Sequence, residues 1–416
     1  PPPRSLLTYD PLQALGDLTL RCRGVILMGA GEPVVLAAVD WIGVANAGHD
    51  EFRDALAAAS GRRRERVGLH AVHQHDAPVF DPSTAAVLRR HGVDPGPYAA
   101  EPLRPVIERI AATVRAAATN TRPVTAVGWG RAEVFQVASN RRIPGPDGRV
   151  RATRYTATAD PALRAEPEGV IDPYVALVSF WDGDRPLAVL SHYATHPQSY
   201  YRTGIAHPDF PGIARFLRDQ SLPGVTHVHF NGAGGNIGAG KYNDGSPTNR
   251  AVLAGRLADG IARAWAATQC RPLAVGDAAW VVERVKLPRA PHLDRPALEA
   301  QVRAATPMRH AAAAALAWLE RGEAAPETEI SCLRLGDVRL LHLPGELFVE
   351  YQLAAQRMRP DLRVALAAYG DYGPAYIGTA RAYGEGGYET EPRSSFVAPE
   401  VEEVLLGTLR RLLAAE

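Results

Sequence analysis

The sequence predicts an α/β fold, a single large domain spanning residues 1–416, built of mixed β-sheets with flanking helices. Three observations carry that prediction. Short β-branched runs alternate along the chain with stretches whose apolar residues recur every three or four positions. No segment repeats, and no low-complexity linker divides the chain. The composition, 46% hydrophobic and 22% charged, is that of an ordinary globular protein.

The elements follow in order. "GVILMGAGEPVVLAAVDWIGV" (24–44) reads as two buried strands around a Gly-Pro turn at 29–33, "DEFRDALAAAS" as a short helix, and 66–75 as a strand. Residues 103–119 carry helical apolar spacing. Strands are expected at 124–129, 174–181, 186–192 and 225–230, and helices at 211–219 and 249–268. A strand pair, 274–286 and 329–343, encloses a helix at 296–322. A helix at 346–358, a strand at 363–368 and a last helix at 399–415 complete the pattern. Residues 140–173, rich in Arg, Pro and Gly, read as a long surface excursion, and loops of that length in a compact domain are usually functional.

Several function classes are excluded. A net charge of +1 with interspersed charges leaves no footprint for nucleic acid, and the one dense basic run, "GRRRER", reads as a solvated loop. No apolar stretch approaches the ~20 residues that span a bilayer, and no basic amphipathic helix suggests membrane docking, so no stable membrane insertion is expected. Cys22, Cys270 and Cys332 are odd in number and widely spaced, which suggests neither a disulfide framework nor a thiolate metal site. No leader is legible in "PPPRSLLTYD". A cytoplasmic location, or secretion with a signal removed, is the expectation. Oligomeric state is not encoded in any pattern.

"GGNIGAGK" (234–241) comes within one residue of a phosphate-binding loop. Such a loop needs a Ser or Thr after the lysine and a helix beginning there. Tyr242 stands in the hydroxyl position and "NDGSPTN" is turn chemistry. No nucleotide is expected, and the glycines need another explanation.

Histidines supply one. His73 and His75, with His70 just upstream, end a predicted strand, and on an extended chain the H-x-H pair shares a face. His192 and His196 end another strand. Imidazole is the usual neutral zinc ligand, and strand ends are where α/β folds place their sites. Glu346, after Pro344-Gly345, could complete the set; it could equally be a first-turn Glu held by a helix dipole.

The ordered set "AVHQHDAP", "NRR", "YATHP", "HPDFPGIAR", "FNGAGGNIG", "LPGELF" and "YIGTARAYGEGGYE" resembles the catalytic domain of the neutral/alkaline (non-lysosomal) ceramidases and their bacterial relatives. The likeness runs from "YDPLQA" to the C-terminal helix. It implies a ceramidase-like fold and one zinc ion per chain, held by His73, His196, Glu346 and a tyrosine. Tyr383 is the match taken for that tyrosine, with Tyr376 and Tyr388 as competitors. It further implies His75 beside the metal, and Arg141 facing the substrate carbonyl. Asp209 is either a carboxylate orienting a ligand histidine or a helix cap. Where ceramidases carry a serine motif, this chain has Gly232-Ala-Gly-Gly-Asn-Ile-Gly, so Gly234 and Gly235 are expected to wall the site with backbone N–H groups. Asn236, Arg141 and Tyr388 are expected to stabilise an oxyanion.

The resulting expectation is a zinc-dependent hydrolase cleaving the amide of a small or lipid-like N-acyl compound, with no C-terminal immunoglobulin-like domain. Hydrolysis of an ester, lactone or cyclic amide is the first alternative. A non-catalytic metal- or ligand-binding relative is the second, favoured by the missing serine and opposed by the complete His/His/Glu/Tyr set.

Overall fold

The computed structural model describes residues 7–414; the start of the segment searched for a leader, and Ala415 of the last predicted helix, lie outside them. The fold is mixed α/β, as the sequence predicts. Three larger sheets form its centre. The first joins Cys22–Gly29, Gly31–Val39 and Val67–Ala71. The second, five-stranded, runs Thr226–Asn231, Arg185–Tyr193, Tyr174–Asp182, Ala126–Glu133, Gln269–Pro272. The third runs Ala278–Lys286, Glu327–Leu335, Val338–His342, Arg363–Ala367.

Period-2 alternation explains the layering. In Gly31–Val39, residues Val34, Leu36 and Ala38 face a core shared by all three sheets, while Val35, Ala37 and Val39 face the helices Ala47–Ser60 and Arg104–Ala117. Val178 and Leu190 point to the same shared core, and Leu177 and Val189 pack against the helix Thr248–Ala266. Leu340 and Leu341 divide likewise between the shared core and the helices Arg309–Ala324 and Val401–Ala414. The strands Gly31–Val39, Tyr174–Asp182, Arg185–Tyr193 and Val338–His342 are therefore largely buried on both faces, which is why they read as continuous apolar runs. Arg215, in the helix Asp209–Ser221, grips the buried Asp40 through two bonds of 2.9 and 2.6 Å and ties the first sheet to the second.

Some expectations change. The helix at 296–322 is two helices, Arg295–Arg303 and Arg309–Ala324, because Pro307 cannot continue the hydrogen-bond ladder. The strand at 329–343 is a hairpin that turns at Gly336, where φ is 58°. Glu346 lies not in a helix but in a two-residue strand, Glu346–Leu347, and the helix begins at Val349. The helix Pro82–Arg90 was legible but unread: Asp81 caps it by accepting from the Ser83 and Thr84 N–H groups, with proline in its first turn.

Among the described residues, six histidines outside the metal-facing set are buried in these layers, His49, His70, His192 and His229 among them. Burial holds His49 down to about 4 and His70, His192 and His229 down to about 3. A depressed folded-state value means that only the unfolded chain takes up protons between pH ~6.5 and those values. Their stability contribution is present above that window and is lost as pH falls through it, by about 1.4 kcal/mol per histidine per pH unit. Cooperative acid unfolding is expected to begin below about pH 6 and finish above the range of ordinary carboxylate titration. Circular dichroism against pH checks this, and a chain still folded at about pH 3.5 would contradict it.

Candidate metal centre

Each sheet contains one parallel strand pair, and the residues after all six C-terminal ends meet at one place. His73 follows Val67–Ala71, and its ring Nδ1 lies 2.6 Å from the carbonyl of Ile42, which follows Gly31–Val39. His196 follows Arg185–Tyr193, with Nδ1 2.7 Å from the carbonyl of Gly234, which follows Thr226–Asn231. Glu346 follows Val338–His342, and Tyr369, after Arg363–Ala367, stacks on His73 with ring centroids 4.5 Å apart. His73 and Tyr369 both hold left-handed backbone, φ 75° and 60°, a strained conformation of the kind found at functional sites.

A carbonyl can only accept, so each Nδ1 carries the proton and each Nε2 presents a lone pair. Both lone pairs converge on one carboxylate oxygen, Glu346 Oε2, at 3.2 Å from His73 and 2.9 Å from His196. His73 Nε2 and Glu346 Oε2 are buried and complete no hydrogen bond. Three electron-rich atoms aimed at one point can hold a cation between them, and imidazole nitrogens oriented by carbonyls are the usual form of histidine metal ligands. Ring nitrogens of His73, His75 and His196 all lie within 4.8 Å of one another. Burial opposes the Glu346 charge, but His73 and His196 outweigh it and hold the carboxyl well below its ordinary value. His196 is lowered to about 4, chiefly by burial and then by Arg141. Imidazole nitrogens beside an ionised carboxylate are a donor set that fits zinc.

The phenol at this point is Tyr376, not Tyr383. Tyr376 pairs in parallel register with Glu346, and its hydroxyl lies 3.3 Å from His196 Nε2. Tyr383, in the helix Ala380–Glu385, packs against the core and bonds Ser395 at 2.8 Å. The Arg141 guanidinium donates to Tyr376 Oη at 3.1 Å and to the Gly235 carbonyl at 2.8 Å, and Tyr388 Oη lies 3.2 Å from Tyr376 Oη. Burial works against the Arg141 charge, but Tyr376, Tyr388 and the buried Glu389 hold it well above its ordinary value.

His75 stacks on Tyr9 and meets Tyr201 edge-on, with centroids 5.3 and 5.0 Å away. Neither of its ring nitrogens has a partner among the described residues. Burial, then His73 and His196, keep it well below its ordinary value, so the ring is neutral and offers one donor and one acceptor.

Three other expectations are corrected. Asn236 does not face the centre: its amide donates to both Glu350 oxygens, at 3.2 and 2.9 Å, and accepts from the Val349 N–H, capping the helix Val349–Met358. Asp209 touches none of His73, His75 and His196; it accepts from the Ser199 N–H and hydroxyl and faces Arg250 at 3.3 Å, bracing the loop before its helix. In the glycine loop Gly235 offers its carbonyl and not its N–H group. Gly235 N–H is committed to the Leu347 carbonyl, while the Gly234 and Gly235 carbonyls hold His196 and Arg141. Lys241 donates to the carbonyls of Arg164, Ala165 and Glu166 and is not available for phosphate.

Sequence reasoning missed Tyr372, whose hydroxyl donates to Glu346 Oε1 at 2.7 Å, and Tyr369, whose buried hydroxyl has no partner. Both lie in "AAYGDYGPAY", directly after a buried strand, and the strand-end rule applied to His73 would have found them. It also missed Glu389, 3.6 Å from Arg141 and 3.1 Å from Arg142.

A Cβ on Gly235 would sit 2.3 Å from the Glu346 carbonyl. Gly235→Ala is therefore expected to push Glu346 out of line and to destabilise the chain by about 2 kcal/mol. Metal content and melting temperature, measured together, should both fall; unchanged values would mean the loop relaxes freely.

No family model and no curated protein sequence matches the chain. Two solved structures do share its fold. A ceramidase complexed with C2 superimposes with a TM-score of 0.68 at 16% identity, covering 99% of this chain and 72% of its own. Neutral ceramidase from Pseudomonas aeruginosa superimposes with a TM-score of 0.69 at 18% identity, covering 99% of this chain and 70% of its own. The chain is ceramidase-like in fold.

Proposed function

We propose that this chain is a single catalytic domain, a zinc-dependent amidohydrolase that cleaves an N-acyl compound into a carboxylate and an amine. The observation that carries the reading is the convergence of His73 Nε2, His196 Nε2 and Glu346 Oε2 on one point, with both histidines locked by backbone carbonyls. The ceramidase-like fold supports the amide as the bond cleaved.

His73, His196, Glu346 and Tyr376 would hold the metal. Zinc bound there supplies Lewis acidity and lowers the pKa of a water. The chain's own groups divide the remaining work. Tyr372 pins Glu346 Oε1, so that Oε2 keeps its direction. His75, neutral and free of hydrogen-bond partners, accepts a proton at one nitrogen and returns it to the leaving amine. Arg141 and Tyr388 donate to the substrate oxygen as it gains charge. Arg141 is already ordered by the Gly235 carbonyl and Glu389, so this help needs little reorganisation during reaction.

The test is hydrolysis of a panel of N-acyl amines by the zinc-loaded protein, following release of free amine. Amine release that stops on chelation and returns with zinc is expected. Turnover of esters or lactones with no amide turnover would move the chain to the first alternative, and no turnover with zinc tightly bound would make it a binding protein.

A further inference from the structure

The three sheets are stitched together at the ends that carry the metal centre. Ala71 N–H donates to the Tyr369 carbonyl at 2.9 Å, and Ala368 N–H to the Asn231 carbonyl at 3.0 Å. At the opposite ends of the same strands, near Val34, Ala188 and Thr226, opens a cavity of about 800 Å³, lined by all three sheets and by the helices Ala47–Ser60 and Arg104–Ala117. That volume is within the range of small-molecule sites, about 300–1,000 Å³.

Its walls are apolar. Leu36, Phe180, Leu333 and Leu335 line the interior, and the half-exposed Met28 and exposed Val275 carry the apolar lining out to solvent. Its cations are unbalanced. Arg66 donates to the carbonyls of Glu32 and Pro33, and among the described residues neither Arg66 nor Arg122 forms an ion pair. Arg23 is matched to Asp219 at 2.6 Å, and Glu32, the one carboxylate on the described lining, faces Arg63 at 3.4 Å. Two guanidiniums without counterions beside an apolar crevice match a ligand with an apolar chain and an anionic head, because guanidinium binds carboxylate in a bidentate fork.

We propose that this cavity is a second ligand site, separate from the metal centre, for a long-chain carboxylate. The alkyl chain lies along the apolar lining and the head group meets Arg66 and Arg122. Burial disfavours the charge on Arg66, and a bound carboxylate would relieve that penalty.

The test is isothermal titration of the whole protein with dodecanoate below its micelle concentration, against dodecyltrimethylammonium as the cationic counterpart. One dodecanoate per chain is expected, with the cation bound at least about tenfold more weakly. A His196→Ala variant should bind dodecanoate as the parent does, which separates this site from the metal centre. The double variant Arg66→Gln/Arg122→Gln should lose about tenfold or more, and Arg122→Gln alone, an exposed change that leaves the fold intact, should lose about threefold. Four results would overturn the proposal: no saturable binding, equal affinity for the cation, binding abolished by His196→Ala, or no loss in either arginine variant. Partition onto phosphatidylglycerol vesicles without stoichiometric dodecanoate binding would assign the cavity to a membrane surface instead. A concentration-dependent dimer that dodecanoate does not dissociate would assign it to a second copy of the chain.

Discussion

If the proposed zinc site is right, His196→Ala is expected to remove the metal and at least about a thousandfold of the activity, because zinc would supply several kcal/mol of transition-state stabilisation that nothing else replaces. His196 joins two layers of the site. Its Nδ1 is fixed by the Gly234 carbonyl at 2.7 Å and lies 3.1 Å from that of Ile237, and its Nε2 faces Glu346, Tyr376 and the shared focus. Without it the focus keeps one imidazole, one carboxylate and one phenol, and the carboxylate loses the closest of its two imidazole neighbours. The measurement is elemental analysis of the parent and the variant, purified without chelators. About one zinc in the parent and none in the variant is the outcome the proposed zinc site predicts. Metal retained at full stoichiometry in the variant would place the ion elsewhere.

Arg141 and Tyr388 carry the second large effect, and it differs in kind. Arg141→Ala is expected to lower kcat by about a hundredfold to a thousandfold with zinc content unchanged, the magnitude of a lost oxyanion donor. That variant also leaves Glu389, fully buried, with Arg142 as its remaining partner, and uncovering a buried charge costs about 3–5 kcal/mol. Tyr388→Phe avoids that cost, since it deletes a hydroxyl that touches Tyr376 Oη at 3.2 Å and leaves the ring beside Arg141. It should lower kcat by about tenfold to a hundredfold and leave KM within about threefold. Unchanged kcat in Tyr388→Phe, together with an Arg141→Ala variant that is folded and fully active, would remove both groups from the reaction.

Much of this molecule was legible before its structure. The mixed α/β class, the buried strands and the two histidine clusters could be read from apolar period and from strand ends; that His73, His196 and Glu346 belong together came from the resemblance to the ceramidases. Period and turn chemistry are local properties, carried by neighbouring residues, and they survive in a one-dimensional string. The break at Pro307 was visible too, but helical spacing on both sides of it hid the interruption.

The rest was decided by pairing across distance. Tyr376 rather than Tyr383 stands at His196 because residues 376–377 form a parallel pair with Glu346–Leu347, a register no spacing count contains. Asn236 has an amide suited to an oxyanion, but the helix start at Val349 and the Glu350 carboxylate lie closer and take all its bonds. The glycine run announced close backbone approach and not its polarity; the Gly234 and Gly235 carbonyls hold His196 and Arg141 in place, while the Gly235 N–H is committed to Leu347. By itself the sequence determined the fold class, most of the strands and helices, and which chemical groups sit near their ends. Only the tertiary structure decided which of those ends meet, because the hydrogen bonds and packing that bring them together join residues far apart in the chain, where local propensity has no influence.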